Sequence, residues 1–249
     1  MSAPDRTSEL GRWRIHHFTE LDSTNRYVLD HARGSASDGL VVVADVQTAG
    51  RGRLDRRWEA PPGSSMLVSV LLRSPVDDDA AGAGRAVMAA GVALTRAVDQ
   101  VAGVTARLKW PNDVVVGDRK LAGLLAERDG DALVVGAGAN VNWESFPPEL
   151  AGTATACNLE AGRAVDGDAL LSAYLTEFAA ALADLDAVLD AYRDRLATLG
   201  RRVRVEQPGG ASLVGVATAV TDDGALVVGD DTGTEHIVTA ADVVHLRPA

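Results

Sequence analysis

The sequence predicts an α+β fold in which a sheet-and-helix unit over residues 1–200 is followed by a small all-β unit over 201–249. Three observations carry that expectation. Residues 107–142 fall into short apolar and β-branched runs separated by Gly-Asp and Asp-Gly-Asp turns, the pattern of a strand meander. Ala86–Val101 and then Leu170–Leu196 space their apolar residues at the helical repeat. From Arg201 onward the runs shorten to five strands divided by Pro-Gly-Gly, Asp-Asp-Gly and Asp-Thr-Gly turns, which fits a small barrel.

Taken in order, Met1–Arg14 is polar and lacks the apolar centre of a signal peptide. Leu21-Asp-Ser-Thr-Asn opens with capping residues, and a short helix is expected to run from there through about His31. Gly39–Gln47 is a continuous apolar strand that delivers Thr48–Trp58, a stretch of glycines and arginines. Met66–Arg73 alternates and reads as a strand. Asp77-Asp78-Asp79 reads as a solvated acidic turn, because contiguous acids seldom converge on one ion. Ala86–Val101 is an Ala-rich helix whose Val87, Ala90, Gly91, Leu94 and Val98 should pack on the sheet.

Trp110-Pro111-Asn112-Asp113 cannot be a central strand or a helix interior, since proline lacks an N–H and restricts its predecessor. It reads as a structured loop feeding a hairpin, Val114–Val116 against Lys120–Glu127. Ala132–Asn142 continues the meander. Gly123, Gly136 and Gly138 on its later strands leave room for close approach, a plausible floor for a small-molecule pocket. The chain then loosens from Pro147-Pro148 to about Gly167. Two amphipathic helices follow, broken near Asp184 and stopped at Gly200. The closing strands are expected at Val203–Glu206, Leu213–Val220, Ala225–Gly229, His236–Thr239 and Val243–Leu246, and no internal repeat is visible.

Composition excludes several classes. With 47% hydrophobic and 24% charged residues the chain reads as globular, and no stretch reaches the roughly 18 apolar residues of a membrane span. A net charge of −11 argues against general nucleic-acid binding. One cysteine, Cys157, rules out an internal disulfide and fits the cytoplasm. The five histidines are scattered, and no His/Cys/Glu spacing points to a metal site.

Three features are candidates for chemistry. Lys109 and Lys120 are the only lysines among 24 basic residues, and they fall in one segment. That is either chance or a requirement for a compact ammonium on a flexible stem, which a planar guanidinium cannot replace. Ser23, Thr24 and Asn25 either cap a helix or offer hydrogen bonds to a polar ligand head. Gly50-Arg51-Gly52-Arg53 directly after a strand is either a basic surface loop or a phosphate-wrapping one.

Lys109-Trp110-Pro111-Asn112-Asp113, then Arg119-Lys120-Leu121-Ala122-Gly123, then Gly136-Ala137-Gly138-Ala139-Asn140-Val141-Asn142 resembles the core of the biotin–protein ligases. Gly50-Arg51-Gly52-Arg53-x-x-Arg56-x-Trp58 resembles the same family's adenylate loop, with Asp55 where the family has glycine. The likeness covers roughly Leu21–Asn142 by motif and the remainder by pattern. It implies a mixed, mostly antiparallel sheet with helices on one side, similar to class II synthetase cores, and an SH3-like module at 201–249. The short segment before Trp13 resembles the single-function class, without a DNA-binding domain.

The resemblance further implies ATP-dependent activation of biotin to biotinyl-5′-AMP and transfer to a lysine of a carboxylase's biotin carboxyl carrier domain. ATP and biotin would be substrates, with Mg2+ on the pyrophosphate. Ser23, Thr24, Asn25, Gln47, Arg51, Gly52, Arg53 and Lys120 would bind biotin, with Lys120 and Arg51 active in catalysis. Gly50, Arg53, Trp58, Lys109, Asn112, Asp113 and Asn140 would contact nucleotide or brace the pocket. Two other readings compete: a lipoate–protein ligase on the same core, whose pattern lacks both signature runs, and a non-catalytic biotin-binding module, which would need no phosphate clamp.

Overall fold

The computed structural model of the chain describes residues 3–34, 36–54, 56–73, 80–206, 212–239 and 242–245. Asp55, the acidic turn Asp77–Asp79, the turn Pro208-Gly209-Gly210 and the expected strand end at Leu246 lie outside them. Eight strands form the main sheet: β1 (Arg6–Leu10), β2 (Trp13–Leu21), β3 (Leu40–Gln47), β4 (Ser65–Leu72), β5 (Arg107–Lys109), β6 (Asp113–Val116), β7 (Arg119–Asp129) and β8 (Ala132–Asn140). Their order is β1-β2-β3-β4-β8-β7-β6-β5. Only β2 and β3 run parallel, and the helix α1 (Thr24–Ala32) makes the crossover that a parallel pair requires. The expected meander is the run β6-β7-β8.

The two faces of the sheet are covered differently. Val41, Val68, Val70 and Val135 point to one face, where α2 (Ala80–Ala102), α4 (Gly167–Ala183) and α5 (Leu185–Arg195) pack. The α2 face is built of small residues, with Ala86, Ala89, Ala90, Ala93 and Ala97 fully buried, which lets the helix lie close to the strands. Val42, Leu71 and Val134 point to the other face, where the short α1 buries Tyr27, Val28 and Ala32. Asp184 marks the break between α4 and α5 and caps the second, accepting a hydrogen bond from Ala187 N.

The C-terminal strands are β9 (Arg202–Glu206), β10 (Ser212–Val220), β11 (Leu226–Asp230), β12 (Glu235–Val238) and β13 (Asp242–His245). They pair antiparallel in the order β12-β11-β10-β9-β13. The join to the main unit is apolar: Val203, Val205, Ala217, Leu226 and Val228 belong to the same buried cluster as α2, Trp110 and Tyr192.

Four elements arise where the sequence gives no expectation of them. β1 and β2 form a hairpin; β1 is polar and mostly exposed, so it lacks the alternation of a half-buried strand. β5 is three residues long, and α3 (Cys157–Ala161) is a single short turn. The helix α2 also begins six residues before Ala86, in a stretch whose two glycines mask the helical signal.

Candidate active site

A cavity of about 340 Å³ lies on the α1 side of the sheet, over β7 and β8. Ser23, Thr24, Asn25, Gln47, Arg51, Gly52, Arg53, Trp58, Lys109, Asn112, Asp113 and Lys120 all line it, so residues from three sequence-distant segments converge. Gly50 and Asn140 do not. Gly50 supports the loop from behind, where a Cβ would meet Trp58 O at 2.3 Å. Asn140 faces a second cavity of about 470 Å³, which shares Arg57, Trp58, Lys109, Asp113 and Lys120 with the first.

One end of the first cavity is polar and uncharged. Ser23 caps α1, and Thr24 N and Oγ1 lie 2.8 and 3.0 Å from Gln47 Oε1. Gln47 Nε2 has no hydrogen-bond partner among the described residues. Asn25 is fully engaged by protein: Oδ1 accepts from Ser69 Oγ at 2.5 Å, and Nδ2 donates to Glu127 Oε2 at 2.8 Å. Its side chain lies flat on Gly136, where an added Cβ would sit 2.2 Å from Oδ1. Asn25 therefore shapes the pocket with both ends of its amide already occupied.

The opposite end carries the cations. Lys120 Nζ pairs with Asp113 Oδ1 at 2.6 Å and stands 5.7 Å above the Trp58 ring. Arg51 lies between the two ends: its Nη1 pairs with Glu127 Oε1 at 2.8 Å, on the carboxylate that also holds Asn25, while Arg53 Nη1 donates to Asn112 Oδ1 at 3.3 Å. Lys109 has no ion-pair partner among the described residues and lines both cavities. Trp58 separates the two: its indole covers Gly138, where a Cβ would lie 2.7 Å from the ring, and its Nε1 is buried without a partner.

The loop after β5 is braced rather than free. Trp110 is buried, its Nε1 donates to Gly224 O at 2.8 Å in the C-terminal unit, and its N donates to Thr198 Oγ1. Asn112 Nδ2 donates to Leu124 O at 2.5 Å, while Asn112 O accepts from Leu124 N. Asn140 is braced similarly, with Nδ2 donating to Thr155 O at 3.0 Å. Between bracing and ligand contact, Asn112 and Asn140 are engaged in bracing, whereas Lys109, Asp113 and Lys120 present charge to the cavity. Cys157 is a core residue whose thiol burial pushes up to about 11.

Motif reasoning misses three contributors. Glu127 lies near the end of an unremarkable strand yet receives both Arg51 and Asn25. Ser69 is fully buried under Thr24 and Asn25; a lone polar residue in the apolar run Met66–Leu72 was the available signal. Glu206, Val243 and Val244 bring the C-terminal unit to the cavity wall, a contact that only the fold creates.

Known proteins share this fold and much of this sequence. Residues 18–142 match the Biotin/lipoate A/B protein ligase family, and residues 198–246 match the Biotin protein ligase C terminal domain. A biotin–[acetyl-CoA-carboxylase] ligase of Mycobacterium tuberculosis is 39% identical over 246 residues, covering 94% of this chain and 90% of that one. One from Paracoccus denitrificans is 32% identical, covering 89% and 96% respectively. Among solved structures, the biotin protein ligase from Aquifex aeolicus in complex with biotin and ATP superposes with a TM-score of 0.81 at 25% identity, covering 94% of this chain and 99% of that one. Fold and sequence agree, and the chain belongs to the biotin/lipoate A/B protein ligase family.

Proposed function

We propose that the chain activates biotin with ATP to biotinyl-5′-AMP and transfers biotin to a lysine of the biotin carboxyl carrier domain of an acyl-CoA carboxylase. The observation that carries this reading is the polarity of the cavity. One end is neutral and amide-lined by Thr24 and Gln47, the other holds Lys109, Lys120 and Arg53 with Arg51 between them, and the lysine end opens past Trp58 into a second cavity. That suits a neutral ureido ring at one end, a carboxylate at the other and a nucleotide beyond it. The relatives named as biotin–[acetyl-CoA-carboxylase] ligases, and the match of 198–246 to a biotin ligase domain, favour biotin over lipoate.

In the first step a biotin carboxylate oxygen attacks the α-phosphorus of ATP. A new O–P bond forms, the bond to the β-phosphate oxygen breaks, and pyrophosphate leaves. Charge accumulates on attacking and leaving oxygens, so preorganised cations lower the barrier. Lys120 follows the carboxylate and then the adenylate phosphate. Arg51 and Arg53 hold the anionic end, and Lys109 serves the nucleotide. Gln47 Nε2 donates to the ureido oxygen.

In the second step the acceptor lysine amine attacks the acyl carbon. A C–N bond forms, AMP leaves with the bridging oxygen, and the amine proton passes to solvent. No covalent intermediate with the protein is required.

Among the described residues no group of three His, Cys, Asp or Glu side chains converges as a metal cage. A Mg2+ ion that keeps its waters and rides on nucleotide phosphates needs only one or two carboxylates, and Asp113 on the cavity wall fits that demand. Bound there with the nucleotide, it would neutralise charge on the departing pyrophosphate.

Residues 1–200 form the catalytic unit in this reading, with 201–249 closing its edge through Glu206, Val243 and Val244. No helix among the described residues is long and apolar enough to cross a membrane. We place the enzyme in the cytoplasm, where its carrier substrate is made.

Biotin-dependent exchange of labelled pyrophosphate into ATP tests the reading. Exchange with biotin supports it. Exchange with lipoate in its place would assign the chain to the lipoate branch, and biotin binding without exchange would make it a binding module.

A further inference from the structure

Behind two residues of the cavity wall, Asn25 and Arg51, lies a carboxylate that the proposed reaction does not use. Glu127 lies near the end of β7 with its side chain 18% exposed, and its two oxygens serve two different segments. Oε2 accepts from Asn25 Nδ2 at 2.8 Å, at the start of α1. Oε1 pairs with Arg51 Nη1 at 2.8 Å, in the Gly-Arg loop. A buried acid is costly unless its charge is matched, and here one cation and one amide match it.

The loop has its own local structure. Arg51 and Arg57 form an antiparallel bridge, Gly52 N donates to Arg56 O at 2.7 Å, and Trp58 N donates to Gly50 O at 3.1 Å. These bonds make a small hairpin, but they do not fix it to the sheet. Its side chains do that: Trp58 lies over Gly138, Arg51 pairs with Glu127, and Arg53 donates to Asn112.

A guanidinium has five N–H donors, and the contact with Glu127 is made through Nη1. The other edge stays available to an anion in the cavity that Arg51 lines. Glu127 therefore need not be displaced for Arg51 to bind ligand.

We propose that Glu127 is a positioning residue. It presents Arg51 to the acyl ligand and ties the hairpin to the segment that forms the neutral end of the pocket. The two ends of the cavity are thus set by one side chain. Its ligand-binding consequence rests on the function proposed above; its hold on the hairpin does not.

The substitution Glu127→Gln separates the two roles. A glutamine Oε1 still accepts from Asn25 Nδ2, while the charge that holds Arg51 is gone. Glu127→Ala removes both. The full chain is used for three measurements: thermal melting, trypsin cleavage at the hairpin arginines without ligand, and biotin affinity by calorimetry with KM and kcat of pyrophosphate exchange.

For Glu127→Gln we expect an unchanged melt and hairpin cleavage faster by roughly two- to fivefold. Kd and KM for biotin should be raised by the same factor, the range of a partly exposed ion pair, with kcat within about twofold of wild type. Glu127→Ala should add a lower melting temperature. Wild-type cleavage and affinity in Glu127→Gln would overturn the proposal. So would a lowered melt in both variants with cleavage rising equally at all arginines, since Glu127 would then be structural only. If the wild-type chain binds no biotin, the function proposed above fails, and cleavage of the empty hairpin still decides whether Glu127 holds Arg51.

Discussion

The loop Trp110–Asp113 and the hairpin Gly50–Trp58 both carry polar and charged groups to one cavity, but they are secured by opposite means. Trp110 is 2% exposed and bonded to Gly224 O, and Asn112 is bonded to Leu124 through both side chain and backbone. Arg51 is 42% exposed and held by an ion pair to Glu127. Buried packing and buried hydrogen bonds cost several kcal/mol to undo, whereas a half-exposed ion pair costs about 1 kcal/mol. The first loop is thus part of the scaffold. The second is expected to move with its ligand, which the cleavage experiment below tests.

The largest test of that contrast is deletion of 201–249. Because Gly224 and the buried faces of β9–β11 pack on Trp110 and Tyr192, the cut should expose the rigid loop and abolish pyrophosphate exchange along with transfer. Trp110→Ala attacks the same contact from the other side and should destabilise the chain by about 3–5 kcal/mol in a denaturant melt. A truncation that melts cooperatively and exchanges pyrophosphate at the full rate would show that the loop stands without the barrel.

Lys120 comes next. Lys120→Ala should lower exchange by roughly 100-fold, and Lys120→Arg should recover little of it, because a planar fork does not fit the space between Asp113 and the Trp58 ring. Near wild-type exchange by the arginine variant would mean that charge alone matters here.

The hairpin should give a smaller, ligand-dependent effect. Trypsin should cut it in the empty chain, less with biotin, and least with biotin and ATP together. Equal cutting in all three states would remove the distinction between lid and scaffold.

The smallest effect concerns the scaffold's pH dependence. Thr198 Oγ1 accepts from Trp110 N and lies 3.1 Å from His245 Nε2. Burial, with Lys109 and Arg201 nearby, holds His245 down at about 4. The unfolded chain protonates near pH 6.5. Stability from this group is therefore present above about 6.5 and is lost as pH falls towards 4. The melting difference between wild type and His245→Gln, measured between pH 5 and 7, should narrow or reverse towards the acid end. A constant difference would exclude His245 as the cause.

Sequence reasoning reached the two loops because each carries an unusual local pattern: paired glycines with arginines, or Trp-Pro-Asn-Asp with the two lysines. It reached the meander, the α4–α5 break at Asp184 and the five closing strands for the same reason, since each is written in local periodicity or turn chemistry. What it could not reach depends on contacts between distant segments. Glu127 looks like any strand-end acid until α1 and the hairpin fold onto it. The polar strand β1 has no pattern of its own and exists because β2 gives it a partner. The triplet Ser23–Asn25 shows how neighbours in sequence part in space. Three adjacent polar residues look alike in sequence, but Ser23 caps the helix, Thr24 holds Gln47, and Asn25 has both amide ends engaged by Ser69 and Glu127.

The backbone around Lys120 has a further consequence. Lys120 N donates to Thr153 O at 2.7 Å, and Lys120 O accepts from Thr155 N at 2.9 Å, so its main chain is clasped on the side away from β6 by a segment far along the chain. The residue is a fixed pivot with a swinging arm. Its four-carbon stem can carry the ammonium through an arc of several ångströms while the Cα stays still. A single charge on such an arm can serve an oxygen that is nucleophile at the start of the reaction and part of a phosphoanhydride at its end. The reacting group travels, and the protein around it has no need to.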